Sequence, residues 1–109
     1  MGDLDEDQAA DIVVDTGFDA AGVPIVTVSG ELDSSNAATL EAAVAPVAAT
    51  HAERLVFDLS ALRFMDSAGI AVLVGVAAKV NAVQLREPSD AVRRVIELTG
   101  LTGVLPIES

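Results

Sequence analysis

Apolar positions along the chain alternate between a spacing of two and a spacing of three to four, and each change of spacing marks an element. Ile12-Val13-Val14 and Pro24-Ile25-Val26-Thr27-Val28-Ser29-Gly30 are β-rich runs separated by the turn-rich Asp19-Ala20-Ala21-Gly22, which predicts a hairpin. Ser34-Ser35-Asn36 offers helix N-caps, and Ala37, Leu40, Val44 and Val47 follow at steps of three and four, the stripe of an amphipathic helix. Pro46 lies too deep for a first-turn proline, so this helix is expected to end or kink there. Leu55-Val56-Phe57-Asp58-Leu59 is short, apolar and bounded by polar residues, as suits a central strand covered on both faces. Ser60 to Met65 reads as a connector. Ile70 to Lys79 has the β-branched content of a strand, but its length, its alanines, the preceding Ser67 cap and the closing Lys79 favour a helix.

Val83-Gln84-Leu85-Arg86 alternates like a strand, and Pro88-Ser89-Asp90 opens a third helix over Ala91 to Thr99 with the stripe Val92, Val95 and Ile96. Gly100 stands where a C′ glycine belongs, with Leu101 available for the accompanying apolar contact. Val104-Leu105-Pro106-Ile107 reads as a last short strand, marked as an edge by Pro106. The order ββαβαβαβ predicts an α/β fold with a mixed, mostly parallel sheet of about five strands and three main helices, joined by right-handed crossovers. The 109 residues suffice for one core and not for two. Strand C-termini and helix N-termini then gather along one rim.

Charge narrows the class of partner. The chain carries 17 acidic residues against 6 basic ones, a formal charge of −11, so a nucleic acid is repelled and a partner with basic patches is expected. Seven of the acids lie in residues 1–20, which hold no base, and residues 1–10 read as a disordered acidic tail before a domain over 11–109. With no cysteine, the sequence lacks disulfides, thiolate nucleophiles and Cys-built zinc sites. The longest uncharged apolar run, Ala68 to Ala78, has eleven residues, about half of a bilayer crossing, and the acidic N-terminus is unlike a signal peptide. No membrane partner and a cytoplasmic location are expected.

Three segments meet the predicted rim: Gly30-Glu31-Leu32-Asp33, Asp58-Leu59-Ser60 and Asp66-Ser67. Ligands of open α/β sheets bind at such rims. Ser67, read as the N-cap, either caps and does nothing more, or holds its hydroxyl at a solvated helix start that welcomes an anion. Val72 and Val76 are assigned to the face opposite Ile70, Leu73 and Val74, which makes the helix apolar all round: it is fully buried, or its outer face is a partner surface beside Ser67. A serine hydrolase needs a base near Ser67, yet the sole histidine, His51, sits at the other end of the third strand, roughly 16 Å away at about 3.3 Å per residue. Asp33, Asp58 and Asp66 could gather Mg²⁺ in the manner of a phospho-aspartate receiver, but Val104 to Ser109 lacks the lysine that pattern requires.

Gly30-Glu31-Leu32-Asp33, Asp58-Leu59-Ser60, Phe64-Met65-Asp66-Ser67-Ala68-Gly69 and Pro88-Ser89 through Leu98-Thr99-Gly100-Leu101 resemble the STAS domain of bacterial anti-sigma-factor antagonists, over roughly residues 12–107. The resemblance implies a binding protein rather than an enzyme, without cofactor or metal. It docks on an anti-sigma factor, often a serine kinase with a histidine-kinase-type ATPase fold, and so frees a sigma factor. It implies that Ser67 is the residue the kinase phosphorylates to break the complex, that a metal-dependent serine phosphatase restores it, and that Asp33 is the family's rim aspartate. Met65, Asp66, Gly69, Val72 and Val76 join Asp33 and Ser67 in the expected partner surface. A scaffold STAS module in a larger signalling assembly would share the same fold. Val80-Asn81-Ala82 stands where the family has a longer turn, so the second helix is expected to lose a turn or the next strand to shift.

Overall fold

The structure, a computed structural model, describes residues 11–50 and 52–108; the expected acidic tail over residues 1–10 and the turn position of His51 lie outside the described residues. The elements run β1 (Ile12–Phe18), β2 (Pro24–Leu32), α1 (Ala37–Ala48), β3 (Leu55–Asp58), β4 (Leu62–Met65), α2 (Ser67–Ala77), β5 (Val83–Arg86), α3 (Asp90–Thr99) and β6 (Ile107–Glu108). They build one α/β domain on a mixed sheet of order β1-β2-β3-β5-β6, with β4 pairing β2. Among the described residues only β1 runs antiparallel, against β2; the β2–β3, β2–β4, β3–β5 and β5–β6 pairs are parallel.

The hairpin forms as the turn residues dictate. The Asp19 carboxylate accepts from the N–H groups of Ala21 at 2.8 Å and Val23 at 2.9 Å, closing an Asx-type turn. Along β2, Pro24, Val26, Val28 and Leu32 are buried while Ile25, Thr27 and Ser29 between them are half-buried, the period-two signature of a pleated strand. Gly30 interrupts that alternation where the ladder slips between Gly30 and Glu31. Its φ of +102° and the Asp11 carbonyl oxygen lying where a Cβ would go leave no room for a side chain. β3 is central as expected, with Leu55, Val56 and Phe57 all buried.

The structure departs from the sequence expectations in several elements. Residues 62–65, expected within a connector, form β4 and pair with the end of β2, Leu32 opposite Met65; the sheet has six strands and the order is ββαββαβαβ. α1 does not end at Pro46 but continues to Ala48. The bond that proline cannot donate would have gone to the Ala42 carbonyl, and Ala42 is exposed, so water can take that carbonyl. The last strand is Ile107–Glu108, later than expected, because Val104 and Leu105 turn back on the Leu101 carbonyl and bury Leu105. Asn36 occupies the N-cap position of α1 without a capping bond from its side chain.

Other end signals hold. The Ser89 hydroxyl oxygen accepts from the Val92 N–H at 3.2 Å, and Gly100 closes α3 in the left-handed region at φ 73°. No helix among the described residues is long and apolar enough to cross a membrane.

Candidate functional site

The end of β2 positions the site. Leu32 lies opposite Met65 in the parallel ladder, and the Asp66 N–H donates to the Leu32 carbonyl at 3.2 Å. Asp33 and the Asp66-Ser67 pair therefore leave the sheet side by side, one into the turn before α1 and the other into α2. The convergence expected from sequence is found for these two segments.

Asp66, not Ser67, caps α2. Its Oδ1 accepts from the N–H groups of Ala68 at 2.9 Å and Gly69 at 3.4 Å, with extended backbone at φ −108° and ψ −169°. Both residue types suit an N-cap, and the backbone decides between them: the helix begins one residue earlier than expected, so Ser67 is its first helical residue. Ser67 is exposed, and the hydroxyl is relieved of capping. The cap function and the exposed hydroxyl are thus divided between neighbours.

Asp33 is half-buried at the head of a tight turn. Its Oδ1 accepts from the Ser35 hydroxyl at 2.6 Å and from the Ser35 N–H at 2.8 Å. The Ser35 hydroxyl, followed by the Ser35 amide, holds the Asp33 carboxyl below its ordinary value of 3.8. A depressed carboxyl stabilises the fold above the ordinary value and loses that contribution as pH falls through the lowered one. A Ser35→Ala variant is accordingly expected to melt below the parent at neutral pH, with the gap closing as the solution is taken down through the Asp33 titration. Thermal denaturation followed by circular dichroism checks this, and a gap independent of pH would contradict it. Asp58 repeats the arrangement at the end of β3, accepting from the Ser60 hydroxyl at 2.7 Å and the Ser60 N–H at 3.0 Å.

Three of the expected surface residues are interior. Met65 has no exposed area, Gly69 is buried and Val76 is 6% exposed. Val76 follows Leu73 by three residues and shares its inward face, together with Ile70. The solvent side of α2 is instead Ser67, Ala71 and Gly75, with Ala78 exposed at the C-cap and Val72 and Val74 half-buried. Gly69 is interior for a steric reason: a Cβ there would stand 2.6 Å from Met65 Cγ and 2.7 Å from Leu32 Cδ2. Of the expected surface set, Asp33, Asp66, Ser67 and Val72 retain solvent access.

The structure lends the magnesium reading no support. Among the described residues no three carboxylate or imidazole side chains are placed to share an ion, and Asp33, Asp58 and Asp66 each spend an oxygen on their own turn or cap. Sequence reasoning missed Ser35 and Asn36, although an Asp followed two residues later by Ser is a turn signal. Nearby, Arg63 and Glu31 form an exposed pair at 3.6 Å across β4 and β2, of the kind that contributes little to stability.

Residues 18–109 match the model of the STAS domain. Over 98 residues, 85% of this chain and 79% of the relative, the chain is 36% identical to the anti-sigma-F factor antagonist RsfB of Mycobacterium tuberculosis. The crystal structure of an anti-sigma factor antagonist from Mycobacterium paratuberculosis superposes with a TM-score of 0.81 at 36% identity, covering 89% of this chain and 85% of that one. SpoIIAA, an anti-sigma factor antagonist solved in its unphosphorylated form, shares the fold at a TM-score of 0.71 and 20% identity, with 89% of each chain covered. With the match spanning nearly the whole chain, and with the sheet order and rim geometry described above, the protein belongs to the STAS domain family.

Proposed function

We propose that this chain is an anti-sigma factor antagonist: it docks through the rim around Ser67 on an anti-sigma factor of the serine-kinase type, releases a sigma factor, and is switched off by phosphorylation of Ser67. The observation that carries this reading is the exposed Ser67 hydroxyl at the first helical position of α2, excused from capping by Asp66 and set beside the Asp33 turn. Relatives named as anti-sigma factor antagonists support the partner class. The chain acts as a docking partner and phosphoryl acceptor in the bacterial cytoplasm, not as a catalyst. Ser67 Oγ takes the γ-phosphoryl group of ATP while the kinase's base accepts the hydroxyl proton and ADP departs; a metal-dependent serine phosphatase returns the free hydroxyl.

Electrostatics supports the direction of the switch. The phosphate adds roughly −1.5 to −2 charges at neutral pH, next to Asp66 and near Asp33. Because Asp66 already satisfies the first amides of α2, the modification removes no cap and the fold survives it.

Incubating the purified chain with candidate anti-sigma factors and ATP, then mapping phosphate by mass spectrometry, tests the assignment. Phosphate on Ser67 is expected, with Ser67→Ala binding normally and remaining unlabelled; undiminished labelling of Ser67→Ala would refute it. Asp33→Ala is expected to weaken docking by about tenfold, on the order of 1.4 kcal/mol, with a smaller effect on melting temperature. Calorimetric titration set beside a melting curve decides, and the opposite ranking would make Asp33 purely structural.

A further inference from the structure

Asn36 is the buried polar side chain of the described core, at 6% exposure, and it lies directly behind the rim. Its Oδ1 accepts from the Asp33 N–H at 3.0 Å, and its Nδ2 donates to the Glu31 carbonyl at 2.8 Å. The Asn36 N–H also donates to the Asp33 carbonyl, at 3.2 Å, so side chain and backbone together close the Asp33 turn onto the end of β2. The next carbonyl along that strand, Leu32, receives the Asp66 N–H. Successive carbonyls of an extended strand point to opposite sides. One of this pair thus holds the Asp33 turn and the other holds the cap residue of α2.

We propose that Asn36 is a positioning residue, clamping the Asp33 turn to the last residues of β2 and so fixing the spacing between Asp33 and Ser67. The proposal deepens the docking assignment above and rests on Asp33 and Ser67 forming one rim. The primary amide supplies an acceptor for the Asp33 N–H and a donor for the Glu31 carbonyl from two separate atoms of one short side chain. Aspartate keeps the acceptor and loses the donor; alanine loses both. Neither loss touches the Asp33 carboxylate or the Ser67 hydroxyl directly, which makes the role distinct from that of a contact residue.

The test is nuclear magnetic resonance on the full chain, with no partner present. In Asn36→Ala, amide hydrogen exchange at Asp33 and Asp66 is expected to accelerate at least tenfold, the Ser67 and Ala68 amide signals to shift, and the Asp33 carboxyl to titrate nearer its ordinary value. Asn36→Asp, the milder change, is expected to give exchange at Asp33 between parent and alanine variant, and serves as the informative variant if Asn36→Ala does not fold. Val83→Ala, which trims a buried residue at the first position of β5, controls for general destabilisation and is expected to leave the Asp33 titration and the Ser67 signals unmoved. Unchanged rim signals in both Asn36 variants, or equal changes in the Val83→Ala control, would overturn the proposal. Failure of Ser67 to accept phosphate leaves this result standing, so the two readings fail separately.

Discussion

A Ser67→Asp variant is expected to melt with the parent and to bind the anti-sigma partner roughly thirtyfold more weakly. Like charges about 6 Å apart repel by about 0.7 kcal/mol at the dielectric of water and by about 2.8 kcal/mol at an effective dielectric near 20. In the free protein the rim is wetted, so the new carboxylate feels Asp66 and Asp33 through water. Docking excludes that water, and the difference of about 2 kcal/mol appears as lost affinity. Phosphate, at nearly twice the charge, is expected to weaken the complex by several hundredfold. The unchanged melting temperature follows from Asp66 holding the Ala68 and Gly69 amides in the parent and in the variant alike. Isothermal titration calorimetry with Ser67→Ala as reference measures the effect, and equal affinities for the alanine and aspartate variants would remove the electrostatic account.

Replacing Gly69 by Val is expected to lower stability by about 3 kcal/mol, equivalent to roughly 12–24 °C in melting temperature for a domain of this size. The first added carbon would stand 2.6 Å from Met65 Cγ and 2.8 Å from Leu32 Cγ. Neither is the free end of a side chain, and both residues are fully buried, so α2 must lift off the sheet or the end of β2 must move. Gly69→Ala is expected to show a smaller loss, since alanine recovers up to about 1 kcal/mol through its better helix propensity. Melting curves for the two variants check the order. If Gly69 served partner contact alone, both variants would melt with the parent and differ only in binding.

The sequence pattern located the strands and helices wherever a run was long or its ends were signed. β2, α3 with Ser89 and Gly100, and the central β3 were readable because capping, left-handed glycine and uninterrupted apolar runs are local chemistry. β4 was not readable. Its four residues alternate out of step with the pleat, buried only at Leu62 and Met65, because it meets β2 across the slip at Gly30. The cap of α2 was ambiguous because Asp66 and Ser67 both suit it, and only the Leu32 carbonyl's hold on the Asp66 N–H fixes where the helix starts. Val76 was legible but misassigned, as Leu73, Val76 and Val80 repeat at three and four and are all buried. The interior placement of Gly69 carries no local signal, since it depends on Leu32, a residue far back in the chain.

β1 closes one side of the sheet with seven residues, its outer margin paired to no other strand among the described residues, and Val13 and Phe18 stand 59% and 75% exposed along it. Such a margin invites another chain to extend the sheet. Asp11 and Asp15 flank Val13 there, and two copies aligned margin to margin would bring carboxylates together. Acid thus serves the molecule in a second capacity, as a guard against self-templated stacking.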